Sequence, residues 1–148
     1  MMALVDRALV LNPNFARAWH ISALLRNWAG QPDIAIEHAE ASRRLSPRAR
    51  IGASLLAIGA AHFFSRRFDE AVPKLLLPIH QDPGFSLPYY WLTACYAHMG
   101  LFEEARGMIA RLRAIMPEVM VNLPLPYRNP QHRELFLSGL RLAMGETT

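Results

Sequence analysis

Cysteine occurs once in these 148 residues, at Cys95, so an internal disulfide framework and any multi-cysteine metal site are excluded. Lysine also occurs once, against fifteen arginines. The formal charge of +4 favours anionic partners, but it is spread along every segment and defines no basic face. Long apolar runs are missing. Arg, His or Pro interrupts each well short of the ~20 residues a membrane span needs, and no charged-then-apolar leader with a small-residue cleavage site opens the sequence. A cytoplasmic location without membrane contact is the resulting expectation. Catalytic signatures are missing as well: there is no His-Glu-x-x-His, no glycine-rich phosphate loop and no Gly-x-Ser-x-Gly elbow. Cys95 stands among Leu92, Ala94 and Tyr96 with no evident activating base. The acidic pairs Asp69-Glu70 and Glu103-Glu104 fall at helix starts, where acids favour the positive end of the helix dipole. No enzyme and no cofactor are expected in this segment.

What is present is apolar content, 52% of residues, enough for one domain with a continuous core. The stretch Ser86 to Pro117 shows its building unit. Two segments of helical periodicity, Leu87 to Met99 and Phe102 to Met116, are separated by the glycine turn at Gly100 and closed by Pro117. That is a helical hairpin, and its punctuation recurs. Pro13, Pro47, Pro83 and Pro117 fall at intervals of 34, 36 and 34 residues, and Ala35, Ala71 and Ala105 follow at 36 and 34. A period of this length means a solenoid.

These residues resemble the tetratricopeptide repeat, a 34-residue helix-turn-helix unit with a large residue early in its first helix and small ones where the helices cross. In the copy from Ala16 to Pro47, Trp19, Ala23, Gly30, Ala35 and Pro47 take the places of the early aromatic, the crossing residue, the turn glycine, the second crossing residue and the closing proline. From Ser86 onward, Tyr89, Leu92, Tyr96, Gly100, Ala105 and Pro117 do so. The copy from Arg50 to Pro83 matches least: Ala53 replaces the aromatic, Phe64 and Ser65 stand where the turn glycine is expected, and two residues are inserted. The resemblance implies an all-α, right-handed α-α superhelix. LNPNFARAWH, the AHFF…RRFDEA segment and the tail YRNPQHRELFLSGLRLA further resemble the C-terminal repeat region of bacterial multidomain signalling proteins, in which a class III adenylate or guanylate cyclase domain, or a DNA-binding output domain, precedes the repeats.

Taken in order, residues 1–13 read as the orphan second helix of a cut repeat, whose uncovered face implies either a longer parent or a homodimer through this end. Residues 14–47, 48–83 and 84–117 are the three repeats. Pro73 and Pro78 lie inside the second helix of the middle repeat and predict a kink or break there. Residues 118–129, with Pro124 and Pro126, read as an extended strap; Asn129 as N-cap, Pro130 and Gly145 delimit a capping helix over 130–145.

In the repeat family the concave groove is lined by the first helices. Carried over by phase, that face presents Arg17, His20, Leu24 and Trp28, then Ile58 and His62, then Tyr90, Ala94 and His98. It is largely apolar, which suits a partner's apolar helix or extended segment, or the chain's own strap from Val119 to Tyr127. The Lys, Asn and Arg set with which some family members clamp a C-terminal carboxylate is absent, its places being taken by His20, Leu24, Ser54, Ile51 and Leu55. His20, His62 and His98 recur in related places but nothing fixes a third ligand, so no metal is expected. The run Arg43, Arg44, Arg48, Arg50, with Arg66 and Arg67, lacks interleaved aromatics and reads as a solvated edge rather than a nucleic-acid site. The function expected is a protein- or peptide-binding regulatory module. The alternatives are the regulatory end of a nucleotide cyclase and the sensor end of a DNA-binding regulator.

Overall fold

The computed structural model describes residues 1–49, 52–118 and 125–145. Among them are eight helices and no strand: α1 (Met2–Leu11), α2 (Ala16–Trp28), α3 (Pro32–Leu45), α4 (Gly52–Phe64), α5 (Phe68–Gln81), α6 (Leu87–His98), α7 (Phe102–Ile115) and α8 (Pro130–Ala143). No described helix is long and apolar enough to cross a membrane. α2 and α3, α4 and α5, and α6 and α7 pair as hairpins that stack through α3 on α4 and α5 on α6. The first helices α2, α4 and α6 thereby lie side by side, giving the all-α superhelix implied by the repeat period.

Small residues let each hairpin close. Ala35, Ala71 and Ala105, near the start of each second helix, are fully buried. Bulk then fills the stack, with Phe63, Leu75, Leu92 and Phe136 almost inaccessible to solvent, each contributing about 1.5–3 kcal/mol of burial. The early aromatics hold the chain entering a repeat. Trp19 Nε1 donates to Pro13 O at 2.8 Å and Tyr89 Oη to Pro83 O at 2.8 Å, so each ring is tied to the proline that closes the preceding unit.

Each hairpin turns on one residue of left-handed backbone: Gly30 (φ 79°), Arg66 (φ 57°) and Gly100 (φ 76°). The following N–H donates five residues back in all three, Gln31 to Arg26 O, Arg67 to His62 O and Leu101 to Tyr96 O, which closes the helix end. The middle turn is therefore at Arg66, not at Phe64 or Ser65, which complete α4 and begin the turn. The two extra residues of this repeat fall between Pro47 and the start of α4 at Gly52. Arginine at φ 57° bears a steric cost of about 1–2 kcal/mol that glycine avoids. Arg66→Gly, after its loss of unfolded-state restriction, is expected to raise stability by roughly 0.5–1 kcal/mol, read from the urea midpoint.

No break occurs at Pro73 and Pro78: a single helix, α5, runs through both. Ala71, Leu75 and Ile79 are buried along it, so packing holds the helix while each proline forfeits one backbone hydrogen bond. Pro78 is itself buried, near the point where a Cβ on Gly52 would meet its Cβ at 3.6 Å. Pro73 is exposed. Pro73→Ala restores one helix bond at a site with no packing to lose, and a gain of about 2 kcal/mol is expected by the same measurement.

The last helix takes a position that decides the site. Asn129 caps it, its Oδ1 accepting from Gln131 N at 2.9 Å. α8 then packs mainly on α6 and only lightly on α7, so it lies along the concave side. Phe136 meets Trp91 at 4.3 Å and Phe63 at 6.2 Å, His132 stacks on Phe64 at 4.5 Å, and a His98 ring nitrogen donates to Leu135 O at 2.6 Å. The described part of the strap reaches the far repeat, where Arg128 N donates to Trp28 O at 2.8 Å. Residues 119–124 of the strap, and Ile51 of the middle repeat, lie outside the described residues.

Candidate binding cavity on the concave face

Between the first helices and the strap lies a cavity of about 490 Å³. α2 contributes His20, Leu24, Asn27 and Trp28; α4 contributes Ala53, Leu56, Ala57 and Ala60; α6 contributes Leu87, Tyr90 and Trp91. Phe85 stands before α6, and the wall is completed by Leu125, Pro126 and Tyr127 of the strap with Phe136 of α8. No Asp, Glu, Lys or Arg is among these residues. The alanines of α4 leave the floor open, and aromatic rings from three helices and the strap surround it.

Of the residues expected on the groove face, His20, Leu24, Trp28 and Tyr90 line this cavity, and the others lie elsewhere. Arg17 is exposed at the start of α2. Ile58 is 1% exposed and packs with Ala23 and Ala39 behind the first helices. His62 points toward α5, its Nδ1 3.3 Å from Glu70 Oε2. Ala94 is covered by α8 at Gly139, and His98 is held by Leu135 O beside Phe68, whose ring stacks on it at 5.3 Å. The three histidines thus occupy three separate environments.

The displacement on α4 has a simple origin. Counting back from the left-handed turn residues at 30, 66 and 100 sets Arg17, Ala53 and Leu87 in one row, His20, Leu56 and Tyr90 in the next, and Leu24, Ala60 and Ala94 in the third. Counting from the prolines puts the two-residue insertion inside the repeat and rotates α4 by two positions, which selects Ile58 and His62. The turn residue was the usable marker, hidden because arginine occupies it. No sequence signal gave the contribution of Phe136.

Burial, reinforced by the Arg17 charge, lowers the His20 pKa from its ordinary value, so the ring is neutral near pH 7. Burial also pushes the Cys95 thiol up to about 12, leaving it protonated and inert, behind the cavity wall. On the outer edge, Arg43 pairs with Glu40 at 3.2 Å, and Arg67 with Asp33 at 3.3 Å and Glu70 at 3.5 Å, so part of the arginine run is already neutralised.

The fold is that of tetratricopeptide proteins. The crystal structure of MamA superposes with a TM-score of 0.71 over 97% of this chain and 85% of that one, at 19% identity. YrrB, a tetratricopeptide protein with an unusual peptide-binding site, superposes with a TM-score of 0.64 over 97% of this chain and 75% of its own, also at 19% identity. No family model matches the sequence. No curated protein matches it either.

Proposed function

We propose that this chain is a protein-interaction module that buries an apolar portion of a partner segment in the cavity between α2, α4 and α6. One observation carries the reading: the cavity lies on the first-helix face, is walled by aromatic rings and has no charged side chain among its described lining residues. The peptide-binding site of YrrB, on the same fold, supports it. α8 covers the α6 end of the concave side, so a partner segment engages the α2–α4 end rather than running the length of the superhelix. Regulation of a nucleotide cyclase, implied by the sequence resemblance of the tail, draws no support from these neighbours. The partner is a segment of another protein or of a longer parent chain.

Selection of phage-displayed random peptides tests the proposal. Ala53 is exposed at the cavity wall, and Ala53→Trp fills the space without disturbing the core. Peptides enriched on the unaltered protein are expected to lose at least tenfold in affinity for the variant. Equal binding to both would refute the cavity as the docking point.

A second contact is favoured by α1, where Leu4 and Leu11, two turns apart on one face, are 73% and 75% exposed. We read that face as the seam of a homodimer. Sedimentation should show a dimer that Leu4→Glu with Leu11→Glu converts to monomer; a monomeric unaltered protein would end this reading.

A further inference from the structure

Two buried polar side chains in the cavity wall specify more than apolarity. Asn27 is 3% exposed and Tyr90 is 2% exposed. The Asn27 carboxamide is half used: Nδ2 donates to Ala57 O at 2.9 Å, which fixes the orientation of the group. Its Oδ1 has no hydrogen-bond partner among the described residues, and neither have Tyr90 Oη and His20 Nδ1. All three residues line the same cavity, among the rings of Trp28, Trp91 and Phe136.

These facts select the occupant. With an aliphatic or purely hydrocarbon aromatic group in the cavity, the Asn27 acceptor, which has almost no solvent-accessible surface, keeps its hydrogen bond unmade in dry surroundings, where that costs most. A charged group would lose its hydration and find no counter-charge, because no ionised side chain is among the described residues that line the cavity. An uncharged aromatic group with one polar hydrogen meets both conditions, stacking its ring against the walls and directing its donor at the acceptor. We infer that the partner segment anchors itself with a tryptophan or tyrosine side chain whose N–H or O–H donates to Asn27 Oδ1. This inference rests on the proposed docking of a partner segment and names its anchor.

The test uses acetylated, amidated heptapeptides Gly-Ser-Ala-X-Ala-Ser-Gly, with X as Trp, 1-methyltryptophan, Tyr, Phe, Leu or Glu. Each is titrated into the isotope-labelled full chain, following the Asn27 side-chain amide and the Trp28 and Trp91 indole resonances by NMR. The Trp and Tyr peptides are expected to shift these signals saturably. The 1-methyltryptophan peptide, whose donor hydrogen is replaced by methyl, and the Phe peptide, which lacks the hydroxyl, should bind about tenfold more weakly, and the Glu peptide at least as weakly. In Asn27→Leu the Trp to 1-methyltryptophan ratio should fall close to one; the methylation comparison stands by itself if that variant does not fold. Equal binding of the Trp and 1-methyltryptophan peptides, or Leu binding as well as Trp, overturns the anchor and leaves the docking reading intact. Free indole binding as tightly as the Trp peptide also overturns it, in favour of a small-molecule site. Failure of every peptide to move the cavity signals sinks both readings.

Discussion

Phe136→Ala is expected to lower stability by about 3–5 kcal/mol. The ring is 1% exposed and is held between α6 and α4, against Trp91 at 4.3 Å and Phe63 at 6.2 Å. Truncation removes the transfer energy of a phenyl group and leaves a void beside an existing cavity, so the surrounding side chains have little reason to close it. Because α8 rests mainly on α6, the loss should be local first. Hydrogen exchange should show α8 amides losing protection while α2 to α5 keep theirs, alongside a lowered urea midpoint. A change below 1 kcal/mol would mean that α8 is not seated on α6 through this ring.

Gly139→Ala sets two effects of opposite sign against each other. Alanine within a helix favours stability by about 1 kcal/mol over glycine. A Cβ at Gly139, however, would stand 2.8 Å from Ala94 Cβ, 2.9 Å from Ala94 Cα and 3.0 Å from His98 Cδ2. The Cα is backbone and cannot rotate aside, so α8 must retreat, straining the His98 bond to Leu135 O and the Phe136 contacts. The collision wins, with an expected net loss of about 1–2 kcal/mol, since overpacking of this kind costs about 1–3 and the helix preference returns about 1. Gly107→Ala is the internal control. It too is helical, but its Cβ would meet nothing within 4 Å, and a gain of about 0.5–1 kcal/mol is expected. Paired denaturation curves should therefore move in opposite directions.

The helices themselves were legible because their signals are local. Apolar period, Asn129 as N-cap and the glycines at 30 and 100 are properties of a few adjacent residues, and each stands at a helix end or turn in the structure. The middle repeat was harder to read. Its turn residue is Arg66 rather than glycine, so no local signal marks its phase, and counting from the prolines puts Ile58 and His62 on the wrong face. The prolines of α5 mislead for a related reason: intrinsic propensity disfavours a helix there, and buried Ala71, Leu75 and Ile79 override it.

Residues by themselves thus determined the repeat period, the all-α architecture and an apolar concave face, because those depend on spacing along one chain. Only the tertiary structure decided how much of that face stays open. α8 returns across α6, the strap ties to Trp28 O, and what is left is a bounded cavity with Asn27 and Tyr90 in its wall. The path of a terminal helix over a surface built more than thirty residues earlier depends on long-range fit, as of Gly139 against Ala94 and Phe136 against Trp91, and no local pattern encodes that fit.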